Sequence, residues 1–397
     1  MNNLTRVPTE SGSTLRSQIG PILLLASIFF LNFIGRIVIA PLLPAIEADL
    51  SISHVQAGTL FLITTTGYFL TVMGSGLVSS RMTHRNTILF SAFAGALALI
   101  GVSMSHSLLS LRGSLLLLGL AMGFYLPSGI ATLTSLVPAK HWGKALAVHE
   151  LAPNLGFVAA PLISEALLHW FSWRGVLGFL GVSSALCGWV FWGFGQGGKF
   201  KGQVPNLSSY RNLFGQSSFW IMAVLFALGM GGSFGIYTML PLYLTAEQGM
   251  DRPFANTLIG LSRVSGLFTS LMAGWATDRF GSRRTLLLVL FLTGLTTLLM
   301  GLTSGAWLIL LVFVQPMLAV CFFPAGFAAI SLIGSAENRS LAVSMAVPLG
   351  FLFAGGALPV AIGILGDAGH FAAGIAGTGV LILSGSFLSR LLKLRQE

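Results

Sequence analysis

Charged side chains are scarce in this sequence: Asp, Glu, Lys and Arg make up 8% of its 397 residues, while 54% are hydrophobic. A water-soluble surface takes roughly a quarter of all residues as charges, so this chain cannot cover itself with one. Cysteine is nearly absent, and both copies, Cys187 and Cys321, lie in apolar runs, so no disulfide framework is available. No His/Cys/Asp/Glu cluster has metal-ligand spacing, and no GxxxxGK[ST] loop offers a nucleotide cradle. No Ser/His/Asp set could converge in a water-filled pocket. ATP drive, a cofactor and enzymatic catalysis are therefore not expected.

What the sequence has instead is apolar length. Mean hydropathy is +0.87, and runs near the ~20 residues that ~30 Å of hydrocarbon requires recur from end to end. They fall at 20–45, 54–80, 86–105, 110–137, 144–168, 174–195, 217–243, 253–277, 284–302, 305–333, 339–365 and 371–392. Backbone amides in hydrocarbon must be satisfied internally, so runs of this length are helices, not barrel strands. Residues 1–19 are polar and the run that follows is longer than a cleaved signal, so the first span is expected to be retained. The expectation is a multi-pass, all-α protein of a bacterial inner (plasma) membrane, monomeric and surrounded by lipid.

The formal charge of +10 invites a nucleic-acid reading. The positions of the charges point elsewhere. With the N-terminus inside, sixteen of the 21 Lys/Arg fall on the cytoplasmic side: Arg6, Arg16, Arg81, Arg85, Lys140, Lys144, Lys199, Lys201, Arg211, Arg279, Arg283, Arg284, Arg339, Arg390, Lys393 and Arg395. Arg112, Arg174 and Arg252 fall outside. This is the positive-inside asymmetry, with both termini cytoplasmic. The basic balance thus records orientation and implies no nucleic acid. Two arginines remain, Arg36 and Arg263, both inside apolar spans.

The polar stretch 196–216 divides the chain into residues 1–195 and 217–397, six spans each, and the halves resemble each other. Gly76-Leu-Val-Ser-Ser-Arg81-Met-Thr-His-Arg85 follows span 2; Gly274-Trp-Ala-Thr-Asp278-Arg279-Phe-Gly281-Ser-Arg283-Arg284 follows span 8, 198 residues later. The same offset maps Pro161 onto Pro359, and an offset of 195 pairs Leu146-Ala-Val148 with Leu341-Ala-Val343. Repeated membrane halves imply alternating access around a midplane site.

On these residues the sequence resembles the major facilitator superfamily. The segment Gly274–Arg284 matches its loop signature G-x-x-x-D-R-x-G-x-[RK]-[RK] at every defined position; the first copy carries Ser80 for Asp and Thr83 for Gly. The resemblance implies two pseudo-symmetric six-helix bundles, twelve helices in all. It also implies a gating cluster of Asp278, Arg279, Arg283, Arg81 and Arg85 that forms in one conformation and breaks in the other. The alternative is that these arginines are topogenic charges only.

An arginine at mid-helix costs on the order of 2.5–3.5 kcal/mol on the lenient insertion scale, so it usually faces a wet cavity and serves a function. Arg36 lies about 5 Å and Arg263 about 3 Å beyond the midpoints of their spans, both toward the outside, at ~1.5 Å per residue. Two guanidinium forks at similar depth suit carboxylate or phosphate. Neither has an acidic residue one turn away, so the counter-charge must come from another helix or from a substrate. The alternative is a structural arginine satisfied by carbonyls. Asn32-Phe-Ile-Gly-Arg36 resembles the first helix of anion:cation symporters and organophosphate antiporters, where the arginine binds the anion. Those families usually read N-Y-x-D-R there and G-L-G-E-G in helix 4; here Gly35 and Met122 replace both acids, so their cation coupling does not carry over.

His149-Glu150 is the ionisable pair well inside a span, and a carboxyl with restricted water access can carry a proton. Alternatively Glu150 sits in a vestibule beside Lys144 or Arg339. Glu165 and His169, near the outer end of the same span, are expected to be solvated. Tyr125, Asn154, Tyr237 and Gln315 are the further candidates for substrate contact, with Tyr68 and Tyr243 either contacts or interface anchors. The expected function is secondary transport of a small organic anion, of carboxylate type, coupled to protons by symport. Proton-coupled efflux of lipophilic compounds is the alternative, and a membrane sensor or embedded enzyme a more distant third.

Overall fold

A computed structural model describes residues 18–202, 207–333 and 339–392. Arg6, Arg16, Lys393 and Arg395 of the charge tally lie outside them, as does the Arg339 side chain. Among the described residues the protein is helical throughout, with a single isolated bridge between Thr83 and Lys201.

In chain order the helices are α1 (Ile19–Ile37), α2 (Ile39–Leu50), α3 (His54–Arg81), α4 (His84–Ser103), α5 (Leu108–Met122), α6 (Tyr125–Leu136), α7 (Trp142–Leu168), α8 (Trp173–Phe194) and α9 (Leu207–Phe214). Then come α10 (Ser217–Met230), α11 (Ile236–Leu242), α12 (Arg252–Ser262), α13 (Gly266–Phe280), α14 (Ser282–Leu302), α15 (Gly305–Ala319), α16 (Phe322–Ser331), α17 (Arg339–Leu352), α18 (Leu358–Asp367) and α19 (Phe371–Leu388). Short π-helical turns join α10 to α11 (Gly231–Gly235) and α17 to α18 (Phe353–Ala357), and a third follows α11 (Tyr243–Glu247).

Several expected spans are therefore one membrane crossing made of two helices, and proline accounts for most of the divisions. A proline lacks an N–H and collides with the carbonyl four residues back. Pro41 points at Ile37, and α1 ends there; Pro127 points at Gly123, where α5 gives way to α6; Pro324 points at Val320, between α15 and α16. Pro359 points at Gly355, inside a π turn. The break between α12 and α13 has no proline. There Ser262 donates its hydroxyl to the Ile259 carbonyl (2.8 Å) and Ser265 to the Ser262 carbonyl (2.9 Å), offering the helix backbone competing partners beside Gly266.

Among the described residues eleven segments are long and apolar enough to cross a bilayer. The expected span 253–277 is not among them, because the break at 263–265 leaves α12 and α13 with 11 and 15 residues. Large apolar side chains such as Leu97, Phe179, Leu186, Leu271 and Phe387 are exposed on the outer surface. A water-facing protein rarely shows so much contiguous apolar area; hydrocarbon makes it unremarkable. The protein is membrane-embedded and multi-pass.

Hydrogen bonds joining the first six spans to the last six gather toward one end and the middle. At that end Asp367, closing α18, accepts from the backbone N–H groups of His54 (2.7 Å) and Val55 (3.1 Å) at the start of α3. Glu165 near the end of α7 pairs with Arg252 of α12 (3.1 Å) and accepts from the Asn256 amide (2.6 Å), which also donates to the Pro41 carbonyl (3.1 Å). Glu165 is thus a bridging residue with a side chain 14% exposed, not the solvated carboxylate expected from its place in the sequence. The helices cross closely enough to require glycine: a Cβ on Gly58 would sit 2.6 Å from the Pro359 carbonyl oxygen. Gly58→Val is expected to prise this end apart. Spin labels on the exposed Ser51 and Ala368 should report longer separations than in the parent; unchanged distances would show that the crossing tolerates a branched side chain.

Candidate functional site

Arg36 occupies the last turn of α1, one residue before the Pro41-driven break, and Arg263 sits in the α12–α13 break itself. Both are buried, at 5% and 8% exposure. Among the described residues no carboxylate lies within 4.0 Å of either guanidinium. Among the described residues, therefore, another helix does not supply the counter-charge. Carbonyl partners are present but few: Arg36 Nε donates to the Asn32 carbonyl at 3.4 Å, and Arg263 donates to the Ser233 carbonyl at 2.8 Å and toward its hydroxyl at 3.5 Å.

Aromatic rings take the place of acids. The Arg36 guanidinium lies 4.1 Å from the Tyr68 ring centre, 5.4 Å from Phe33 and 5.6 Å from Phe351. That of Arg263 lies 4.8 Å from Phe157 and 5.1 Å from Tyr237. Ring faces attract a cation without neutralising it, so both guanidiniums keep their demand for an anion. They are also connected: Phe33 meets Phe157 edge-on at 5.1 Å. Arg36 comes from the first six spans and Arg263 from the last six, and the rings between them come from both.

The other substrate candidates divide. Tyr237 is at this site, fully buried, and its hydroxyl has no hydrogen-bond partner among the described residues. Gln315 is buried nearby but committed, donating to the Gly232 carbonyl (2.8 Å) and the Thr297 hydroxyl (3.0 Å). Tyr125 belongs to a different cluster. Tyr125 donates to the Leu25 carbonyl (2.6 Å), contacts His149 Nε2 (3.1 Å), and stacks with His149 around Phe29. Asn154 donates to the Glu150 carbonyl (2.9 Å). Tyr243 is fully buried away from both arginines, donating to the Met300 carbonyl (2.9 Å). Phe33, Phe157, Phe234, Phe351 and Ser233 escaped the sequence reading, because thirty phenylalanines in an apolar chain give no local mark of which ones meet an arginine.

The His149-Glu150 pair divides in burial. His149 is fully enclosed and Glu150 half exposed, their side chains 3.4 Å apart at Nδ1 and Oε1. The Tyr125 hydroxyl has one proton, given to Leu25, so at His149 it accepts, and Nε2 must carry a hydrogen. A neutral imidazole in that tautomer turns a lone pair toward Glu150. The contact becomes attractive only when one more proton sits on either partner. Glu150 forms no ion pair with Lys144.

Two of the loop arginines are placed as helix caps. Arg85 donates to the carbonyls of Gly195, Phe191 (3.3 Å) and Trp192 (2.7 Å), and its repeat mate Arg283 donates to the Arg390 carbonyl. Each leads one helix and satisfies the end of another, where the helix dipole favours a cation. Asp278, Arg279 and Arg283 line an open depression of about 700 Å³ with Ala328 and Leu332. Asp278, Arg279 and Arg81 are exposed, and Asp278 has no ion pair among the described residues.

A family profile described as Major Facilitator Superfamily matches residues 25–274 and 232–397. The chloramphenicol resistance protein of Pseudomonas aeruginosa is 23% identical over 276 residues, covering 66% of this chain and 63% of that one. The membrane sensor protein UhpC of Salmonella typhimurium is 25% identical over 295 residues, covering 68% and 64%. The chain thus matches a little under two thirds of the length of each of these curated relatives. Among solved structures, a bacterial homologue of the human lysosomal transporter Spinster, inward-facing and occupied, superposes with TM-score 0.83 at 16% identity over 96% of this chain and 97% of that one. A peptide transporter, POT, in complex with sulfate gives 0.76 at 14% identity over 94% and 93%. At such identities the likeness is one of fold.

Proposed function

The chain belongs to the major facilitator superfamily of secondary transporters, and we propose that it carries a small organic anion across the membrane by alternating access, coupled to protons. The observation that carries this reading is the pair of buried guanidiniums, one from each half of the chain, with no carboxylate beside either. A site left with uncompensated positive charge binds an anion to complete itself. Residues 1–195 and 217–397 act as the moving halves, joined by 196–216 and counting 252–280 as the twelfth, broken crossing. With both termini cytoplasmic, the bonded end is the outer one, so the conformation is open inward. Asp278 and Arg279 are exposed at the inner end, available to pair when the transporter faces out. The His149-Glu150 contact, which needs an added proton to be attractive, is the coupling site. A membrane potential opposes anion entry by ~2.3 kcal/mol per charge per 100 mV, which a co-transported proton offsets.

A second reading is proton-coupled efflux of lipophilic compounds, favoured by the relative named for chloramphenicol resistance. Two buried arginines argue against it. Proteoliposomes with an imposed pH gradient separate the possibilities: net uptake of an organic anion supports the proposal, and proton-driven movement of lipophilic cations with no anion flux would replace it. Binding without flux of either kind would instead indicate a sensor, as the second curated relative is named.

A further inference from the structure

We propose that the transported anion is an aromatic monocarboxylate, held at its carboxylate by Arg263 and the Tyr237 hydroxyl and along its ring by the aromatic wall shared with Arg36. The inference rests on the anion reading above and narrows it.

The wall is closed. From Phe33 it passes to Phe157 (5.1 Å), then Phe234 (6.0 Å), then Phe351 (4.5 Å), then Tyr68 (5.7 Å). Arg36 completes the circuit between Tyr68 and Phe33. These residues come from α1, α3, α7, the π turn after α10, and α17, so no single helix's periodicity assembles them. At these spacings the rings pack on one another, edge-on or tilted, so a substrate ring takes its place among them as the two halves move apart and offers each exposed face or edge the same kind of contact. A guanidinium over a ring face also retains its in-plane N–H groups for a carboxylate.

The polar inventory excludes richly hydroxylated cargo. Asn32 donates its amide to the Met122 carbonyl (2.9 Å), Thr65 its hydroxyl to the Gly355 carbonyl (2.9 Å), and Gln315 is doubly committed. A sugar phosphate or hydroxy-acid brought here would lose its water and find ring faces opposite its hydroxyls, an unmatched burial of polar groups. Beside Arg263, among the described residues, the Tyr237 hydroxyl is uncommitted, on the ring whose centre lies 5.1 Å from the guanidinium. It needs one oxygen acceptor, and a carboxylate at Arg263 supplies it. A short dicarboxylate would meet both arginines with charge, but its flexible, strongly hydrated body gains nothing from the stack between them. One charge and a flat apolar body fit the groups present.

Binding to purified protein in nanodiscs, using benzoate, phenylacetate, cyclohexanecarboxylate, succinate and glucose 6-phosphate as probes, tests the assignment. Benzoate or phenylacetate is expected to bind about tenfold or more tighter than cyclohexanecarboxylate and succinate, the scale set by ring contacts. Tyr237→Phe should weaken benzoate about tenfold at an unchanged melting temperature, as loss of one hydrogen bond to a charged group does. Phe157→Leu should shrink the ratio of benzoate to cyclohexanecarboxylate affinity. Succinate or glucose 6-phosphate binding more tightly than benzoate would overturn the narrowing while leaving an anion transporter. Binding of no anion, with lipophilic cations bound instead, would overturn both.

Discussion

Arg263→Ala, in protein that inserts normally, is expected to lose anion uptake by about a hundredfold or more, and Arg36→Ala to lose it comparably. Truncating one partner of a buried, hydrogen-bonded charge pair costs about 2–5 kcal/mol, and 2.8 kcal/mol is already about a hundredfold in affinity. Arg263→Lys should recover part of the loss, because it keeps the charge and forfeits the fork. A second readout separates a substrate arginine from a structural one. A buried guanidinium without a carboxylate is an energetic liability in the empty protein, so Arg263→Leu should leave the melting temperature level or raise it. The modest protein contacts, one 2.8 Å bond to Ser233 and two ring faces, are little to lose. A drop of many degrees together with intact uptake would mean that Arg263 holds the fold, and that the anion goes elsewhere.

The second large effect is on coupling. In Glu150→Gln the side-chain amide can donate permanently to His149 Nδ1, reproducing the contact that a carboxylate makes only with an added proton. Uphill accumulation driven by a pH gradient should then vanish while counterflow exchange of labelled for unlabelled anion continues. His149→Phe should give the same pattern by a different route. It keeps the stack on Phe29, 4.4 Å away in the parent, and removes both ring nitrogens. Counterflow is the control for folding and binding; accumulation that survives both changes would remove the pair from the coupling mechanism.

Much of the architecture was legible because the bilayer imposes one-dimensional rules. Span lengths follow from hydrocarbon thickness, and Arg36 and Arg263 are conspicuous because an ion in an apolar run is costly wherever its helix packs. The breaks were legible in principle. Pro41, Pro127 and Pro324 each stand four residues after the carbonyl where a helix ends, a signal that span-finding by hydropathy passes over. The break at Arg263 has no such mark; serine hydroxyls make it, and their donation to carbonyls depends on a helix already being there. Glu165 looked like an ordinary end-of-helix carboxylate because Arg252 and Asn256 lie 87 and 91 residues away. Tyr125 packs in the His149 cluster, away from the two arginines, since composition does not reveal which side of a helix faces which neighbour.

The sequence alone determined that this chain is a set of apolar helices in a membrane, with two arginines stranded in oil. Those features depend on the cost of moving a group from water to hydrocarbon, which each residue carries with it. Only the tertiary structure decided what the arginines face. Bringing α1, α3, α7 and α17 around them placed rings where acids could have been, and left the Tyr237 hydroxyl without a partner among the described residues. Contacts between distant segments come from the packing of helix faces, which no local pattern encodes.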